Sequence, residues 1–328
     1  MIITRTPFRI SFFGGGTDYP IWYREHGGAV LSTSINKYCY ISCRYLPPFF
    51  DYKFRFRYSL REEVNAINEI SHPSIRECLR FMNIENGIEM VHTSDIPARS
   101  GIGSSSAFTV GLLNALYALL GKMVTKRQLA REAILIEQNL IRESVGSQDQ
   151  VSCAFGGLNK IEFGGSNEFY VYPIPISSEK INHLQKYLML FFTGFTRNAS
   201  DIADEQISNT HSKNVELKTM VGMVDEGINI LNGNISGIKD FGKLLHEAWT
   251  LKKSLTDSIT TSKIDEIYRA AQEAGAIGGK LLGAGGGGFM LFFATPEVQP
   301  IVKERLKNLL YVPFAFENLG TQIIVYST

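Results

Sequence analysis

Three serines in a row, Ser104, Ser105 and Ser106, close a loop containing Gly101 and Gly103 and lead into the apolar run AFTVGLLNALYALL. Glycine lets the backbone turn where a side chain would clash, and the apolar run is long enough for a helix of about four turns. The first N–H groups of such a helix have no internal partners, and its dipole places roughly half a positive charge at the same end. That combination favours an anion, most naturally a phosphate. The hydroxyls can hold its oxygens or a magnesium ion riding on them. A flexible loop with serine helix caps is the plainer alternative.

Three carboxylates have spacing that invites chemistry. Glu137 falls within the apolar stripe Ala130, Ala133, Ile134, Leu140 and Ile141 of a helix expected from about Thr125 to Glu143. A carboxylate on a buried face needs a partner, and either a metal ion or an arginine serves. Asp149 follows the helix end at Val145-Gly146, placed either as a loop carboxylate for catalysis or as a helix cap. Asp18 follows Gly14, Gly15 and Gly16 directly, where it can accept hydrogen bonds from hydroxyls or cap the short WYREH segment.

The elements that must position these groups are legible in outline. Residues 2–13 alternate as a strand, residues 28–46 read as two strands, and residues 88–95 form a strand running into the serine loop. Strand, loop and helix in that order is the context an anion site requires. In residues 53–58, Lys53, Arg55 and Arg57 alternate with aromatics, as either a phosphate-reading face or a charged edge strand. Residues 60–84 have helical spacing. In the second half, strands near 169–176 and 186–193 precede helical stretches at 212–232, 238–255 and 263–274. Then come Gly285, Gly286, Gly287 and Gly288 ahead of the strand FMLFF, four glycines that require a ligand or another backbone to pass very close. The spacing of a G-x-x-x-x-G-K-[ST] loop is nowhere satisfied, and no G-x-G-x-x-G opens a βαβ unit.

The 328 residues allow two domains with ample core. A formal net charge of +1 gives no electrostatic case for nucleic acid or membrane as partner. The amino terminus lacks a signal-peptide core, and no segment supplies the ~18 apolar residues of a membrane span. Cys39, Cys43, Cys78 and Cys153 show neither disulfide density nor zinc spacing; Cys39 and Cys43, in a β-rich run, read as small core residues, and a reducing cytoplasm fits. Assembly into a homo-oligomer is compatible with all of this.

Three glycine-bearing segments in order carry a family resemblance. The chain resembles the GHMP kinases of small molecules (galactokinase, homoserine kinase, mevalonate kinase and phosphomevalonate kinase). Thr6 through Asp18 is similar to the family's first motif, Pro97 through Ser106 to its phosphate loop, and Lys280 through Phe289 to its third, glycine-rich motif. Two positions depart from the pattern: Phe8 stands for a small residue and Ser106 for alanine. The resemblance implies an α+β fold of two domains, residues 1–180 like ribosomal S5 domain 2 and residues 181–328 ferredoxin-like, with the active site between them. It implies ATP and Mg2+, with Ser100, Gly101, Gly103, Ser104, Ser105, Ser106, Gly285 and Gly286 around the nucleotide and Ser104, Ser105 and Glu137 at the metal. Asp149 would take or orient the proton of the attacking hydroxyl beside Arg9, with Gly16, Thr17 and Asp18 at the sugar. The runs at 146–157 and 192–202 resemble members acting on a sugar that already carries a phosphate, for which Arg197, ahead of Lys37 and Arg99, is the candidate ligand. Alternatives are a kinase of an unphosphorylated sugar such as fucose or galactose, a decarboxylase on this fold, and a non-catalytic sugar or ATP sensor. Retention of Asp149, Glu137 and the serines argues against the sensor.

Overall fold

The computed structural model describes residues 1–165, 168–195 and 199–327. Its first sheet begins with β1 (Ile2–Phe13) and β2 (Gly28–Tyr45) and continues through β3 (Phe54–Arg57), β4 (Arg61–Val64), β5 (Ile88–Ser94), β6 (Leu158–Phe163) and β7 (Phe169–Pro173). The second sheet uses β8 (Leu188–Phe192), β9 (Gly278–Leu281), β10 (Phe289–Phe293) and β11 (Leu310–Tyr311). The chain then returns to the first sheet with β12 (Phe316–Glu317) and β13 (Gln322–Tyr326).

The large sheet runs β13-β1-β2-β5-β3-β4, with β6 and β12 also on β2 and β7 on β6. Only β3 and β5 pair in parallel among its described ladders. Its axis is β2, a single strand of 18 residues where two were expected. Its β-branched and aromatic content suits an unbroken strand, and a register shift between Pro7 and Phe8 of β1 absorbs the irregularity. The basic run is not an edge: β4 covers it, and Arg55 is ion-paired with Glu89 on β5. Residues 60–84 are β4, a short 3-10 turn and the helix Pro73–Phe81 rather than helix throughout.

The helix Ser104–Leu119 lies across β1 and β2, buried along nearly its whole length. The smaller sheet, β11-β8-β10-β9, is antiparallel and backed by the helices Ile238–Lys253 and Ser262–Glu273. One aromatic cluster joins the sheets. Phe241 packs edge-on against Phe12 at 5.3 Å and Phe13 at 5.0 Å, both on β1, and reaches Phe293 on β10 at 6.3 Å. Residues 181–328 are therefore not closed on themselves, because β12 and β13 cross back over the expected division. All four cysteines are buried free thiols. Among the described residues no helix is long and apolar enough to cross a membrane.

Candidate active site

β1 delivers Arg9 to the centre of the site with 3% of its side chain exposed. Its Nε donates to Asp149 Oδ1 at 2.6 Å and its Nη2 to Asp149 Oδ2 at 2.8 Å, the two-pronged arrangement that fixes a carboxylate in orientation as well as position. Its Nη1 donates to the Gly101 carbonyl at 2.8 Å, so one guanidinium ties the carboxylate to the phosphate loop. Burial alone would lower the Arg9 pKa, but Asp149 beside it outweighs that and raises it. Asp149 lies in the first turn of the helix Gln148–Phe155, not in a loop. The preceding helix ends early, at Ile141, which frees residues 142–147 to turn the chain. Its carboxylate keeps 25% exposure, enough to meet a ligand.

Asp18 sits in the same pocket of charge, 2% exposed. It accepts from the backbone N–H of Gly16 at 3.0 Å and of Gln148 at 3.2 Å. Burial pushes its pKa up, the Gly16 and Gln148 amides oppose this, and nearby Asp149 adds to the rise. Gly146 is a requirement of this carboxylate, since a Cβ there would stand 1.9 Å from Asp18 Oδ2. Thr17 needs correction as a substrate ligand. Its buried hydroxyl donates to the carbonyl of Gly14 and meets the backbone of Ala29, so it holds the turn and is not available to a sugar. Gly16 is half-buried and lines a small cavity with Tyr19, Gln206 and Lys213.

The phosphate loop has the expected form. Gly101 and Gly103 take φ of +81° and +80°, and Gly103 is the residue from which the helix Ser104–Leu119 starts. The serines divide their work. Ser104 Oγ accepts from the Arg99 N–H at 3.1 Å, Ser105 is exposed, and Ser106 Oγ donates to Glu137 Oε2 at 2.8 Å. The Ser100 hydroxyl is buried and lacks a partner.

Glu137 is fully buried where an α-helix widens into a π-helical turn, Ile136–Ile141. The wider turn shifts the expected stripe and leaves Leu140 42% exposed. Glu137 Oε2 accepts from Ser106 and from the Gln150 amide, while Oε1 has no well-formed partner. Burial raises its pKa to about 7, against the opposing hydroxyls of Thr109 and Ser106 and the Gln150 amide. An orphaned buried carboxylate oxygen beside a phosphate loop fits a hard cation, which needs only one or two carboxylates when phosphates supply the rest. Among the described residues no group of three His, Cys, Asp or Glu side chains is placed to hold a metal ion.

The third glycine run docks on this loop through backbone. A Cβ on Gly283 would stand 2.5 Å from Gly101 Cα, and one on Gly288 would stand 2.3 Å from the Ser100 carbonyl oxygen. Gly285 and Gly286 turn against Ile259, whose carbonyl accepts from the Gly286 N–H at 3.0 Å. Of the candidates for a substrate phosphate, Arg197 lies outside the described residues. Arg99 is exposed on the phosphate loop itself with φ +58°, and Lys37 is half-buried on β2. Two buried lysines were missed. Lys280 donates to the Phe12 carbonyl at 2.8 Å, and Lys252 donates to the Gly283 carbonyl. Lys252 follows Phe241, Leu245, Ala248 and Trp249 along the buried face of its helix, so the reasoning that singled out Glu137 would also have found it.

Loop, inward carboxylate, arginine-held aspartate and docked glycine run define a small-molecule kinase of the GHMP family, to which the chain belongs. Residues 68–157 match the GHMP kinases N terminal domain and residues 231–312 the GHMP kinases C terminal domain. The chain is 30% identical to the D-glycero-alpha-D-manno-heptose 7-phosphate kinase of Campylobacter jejuni, over 98% of each chain. It is 25% identical to the L-fucokinase/L-fucose-1-P guanylyltransferase of Bacteroides fragilis, over 92% of this chain and 35% of that longer protein. A crystal structure of a D-glycero-D-manno-heptose 1-phosphate kinase from Bacteriodes thetaiotaomicron superposes with a TM-score of 0.79 at 23% identity, covering all of both chains. The chain is thus a sugar kinase of this family.

Proposed function

We propose that the chain transfers the terminal phosphoryl group of ATP to the anomeric hydroxyl of D-glycero-D-manno-heptose 7-phosphate. The product would be the 1,7-bisphosphate, for nucleotide-activated heptose biosynthesis. The observation that carries the reaction type is the buried Arg9–Asp149 pair bound to the phosphate loop through Gly101. The full-length similarity to a heptose 7-phosphate kinase supports the acceptor.

Phosphoryl transfer asks the protein mainly for positioning and charge neutralisation. Asp149 accepts the proton of the sugar hydroxyl while Arg9 holds both carboxylate oxygens, which retain lone pairs for a further donor. The sugar oxygen forms its bond to the terminal phosphorus as the bond to the ADP oxygen breaks. Asp18 and the Gly16 turn orient sugar hydroxyls. Ser100, Ser104, Ser105 and the N–H groups of Gly101 and Gly103 surround the triphosphate. Glu137, held by Ser106 and Gln150, would hold Mg2+, which neutralises phosphate charge when bound.

ATP turnover with heptose 7-phosphate, free heptose, L-fucose and galactose tests this reading. Preference for the phosphorylated heptose by at least about tenfold in kcat/KM, one RT ln 10 step of binding energy, is expected. Equal use of heptose and its 7-phosphate would move the unphosphorylated-sugar reading ahead.

A further inference from the structure

Lys252 is 5% exposed and has no carboxylate within ion-pair distance among the described residues. Its recorded partner is the Gly283 carbonyl, which leaves two of the three ammonium N–H groups to be satisfied. Gly283 is the residue packed on Gly101, whose carbonyl also accepts from Arg9. The ammonium group therefore stands at the join between the glycine run and the phosphate loop. The charged groups facing it are Arg9 from β1, Asp18 from the turn after β1, Asp149 from the helix Gln148–Phe155 and Lys280 from β9. On its own helix, Lys253 is already paired with Asp265. Arg9 and Asp149 neutralise each other, burial drives the Lys280 pKa well below the ordinary lysine range, and Asp18 is already held by the Gly16 and Gln148 amides. Lys252 is thus a buried ammonium with donors to spare, and an anion that joins it relieves the cost of burying the charge.

We propose that Lys252 binds the phosphoryl group to be transferred, as a second cation beside Arg9 at the Gly101–Gly283 contact. The group is the one present in ATP and absent from ADP, and the inference rests on the nucleotide-dependent reaction proposed above but not on the identity of the acceptor. Burial, with the Arg9 charge adding to it and Asp18 and Asp149 opposing, lowers the Lys252 pKa to about 8. In the free enzyme the lysine thus loses its charge as pH rises through about 8, whereas an arriving phosphoryl group favours the charged form.

The test is titration calorimetry of the full chain with Mg-AMPPNP, Mg-ADP, heptose 7-phosphate and heptose. Lys252→Met should weaken AMPPNP on the order of thirtyfold or more and change ADP by less than about threefold. Wild-type affinity for AMPPNP should fall between pH 8 and 9.5, approaching about tenfold per pH unit, with ADP unaffected. Lys252→Arg, charged throughout, should abolish that fall. The wild-type pH series and Lys252→Arg keep the test decisive if Lys252→Met folds poorly. Loss of heptose 7-phosphate relative to heptose, with AMPPNP unchanged, would overturn the assignment and place the lysine on the acceptor's phosphate. Unchanged affinities with a lowered Tm would also overturn it, leaving Lys252 as a tie for the glycine run. If the wild type binds neither nucleotide, it is the ATP-dependent reading that has failed.

Discussion

Arg9 is the residue on which the geometry of the site converges, because its one guanidinium bonds both oxygens of Asp149 and the Gly101 carbonyl of the glycine-serine loop. Lysine in its place keeps the charge but loses the planar fork and cannot bond both Asp149 oxygens and the Gly101 carbonyl together. Arg9→Lys should lower kcat/KM by about thirty- to a thousand-fold, corresponding to roughly 2–4 kcal/mol, with most of the loss in kcat. Steady-state kinetics at saturating nucleotide checks this; a change confined to KM would mean that the pair serves binding alone. Glu137 gives a different kind of readout. Folding raises its carboxyl from the ordinary 4.5 to about 7. Between those values the folded chain keeps a proton that the unfolded chain has lost. The contribution to stability is therefore fully present below pH 4.5 and lost as pH rises through about 7, a change of about 3 kcal/mol. Without magnesium, wild type should thus lose Tm relative to Glu137→Gln between pH 5 and 8. Magnesium nucleotide should restore the wild type, while the variant needs more magnesium for turnover. A flat Tm difference across that range, together with an unchanged magnesium requirement, would remove Glu137 from the metal site.

At the scale of elements, the phosphate loop and the third glycine run act as one unit, since Gly283 packs on Gly101 and Gly288 on Ser100. Gly288 combines a φ of +106° with a neighbouring carbonyl where a Cβ would go. Gly288→Ala should push Ser100 and the loop aside. A displacement of about 1 Å at a reacting group costs on the order of a hundredfold, so AMPPNP affinity and kcat should both fall together with Tm. Normal nucleotide affinity in that variant would show that the loop does not depend on the run. The sequence made these elements legible because glycine and serine runs are local signals. What it did not disclose was which backbone the glycines approach, a contact between residues some 180 positions apart, as from Gly101 to Gly283. Asp149 is likewise legible as a residue, but the sequence leaves a loop carboxylate and a helix cap both open, and the structure puts it in the first turn of a helix. The π-helical turn at Glu137, which ends the preceding helix early, has no periodic signature that reading at 3.6 residues per turn detects. The family resemblance puts Thr17 at the sugar together with Asp18, yet neighbours on an irregular turn point in different directions, and the Thr17 hydroxyl donates inward to the Gly14 carbonyl.

At the scale of the whole molecule, several separate ties among the described residues join the two sheets. Phe241 links β1 to β10, and Lys280 on β9 bonds the Phe12 carbonyl of β1. The glycine run docks on the phosphate loop, and β12 and β13 carry the end of the chain back onto β2 and β1. A division near residue 180 does not separate the sheets cleanly, because β12 and β13 lie beyond it and belong to the first sheet. Opening the cleft would expose Phe241, Phe12 and Phe13 and strip the Phe12 carbonyl from buried Lys280, a combination that leaves little reason for one half to persist alone. Heat or denaturant should therefore unfold the protein in one cooperative transition, with calorimetric and van't Hoff enthalpies agreeing. Phe241→Ala should lower that single transition by about 3–5 kcal/mol of stability, as expected for a buried aromatic shared by two sheets. Magnesium nucleotide, bound between the halves, should raise it as one transition, by about 2.7 kcal/mol at a hundred times Kd. Differential scanning calorimetry of wild type and Phe241→Ala, each with and without AMPPNP, measures all three. Two resolved transitions in the wild type, only one of them moved by nucleotide, would mean that the halves fold independently and that the ties at the cleft form only around the bound substrates.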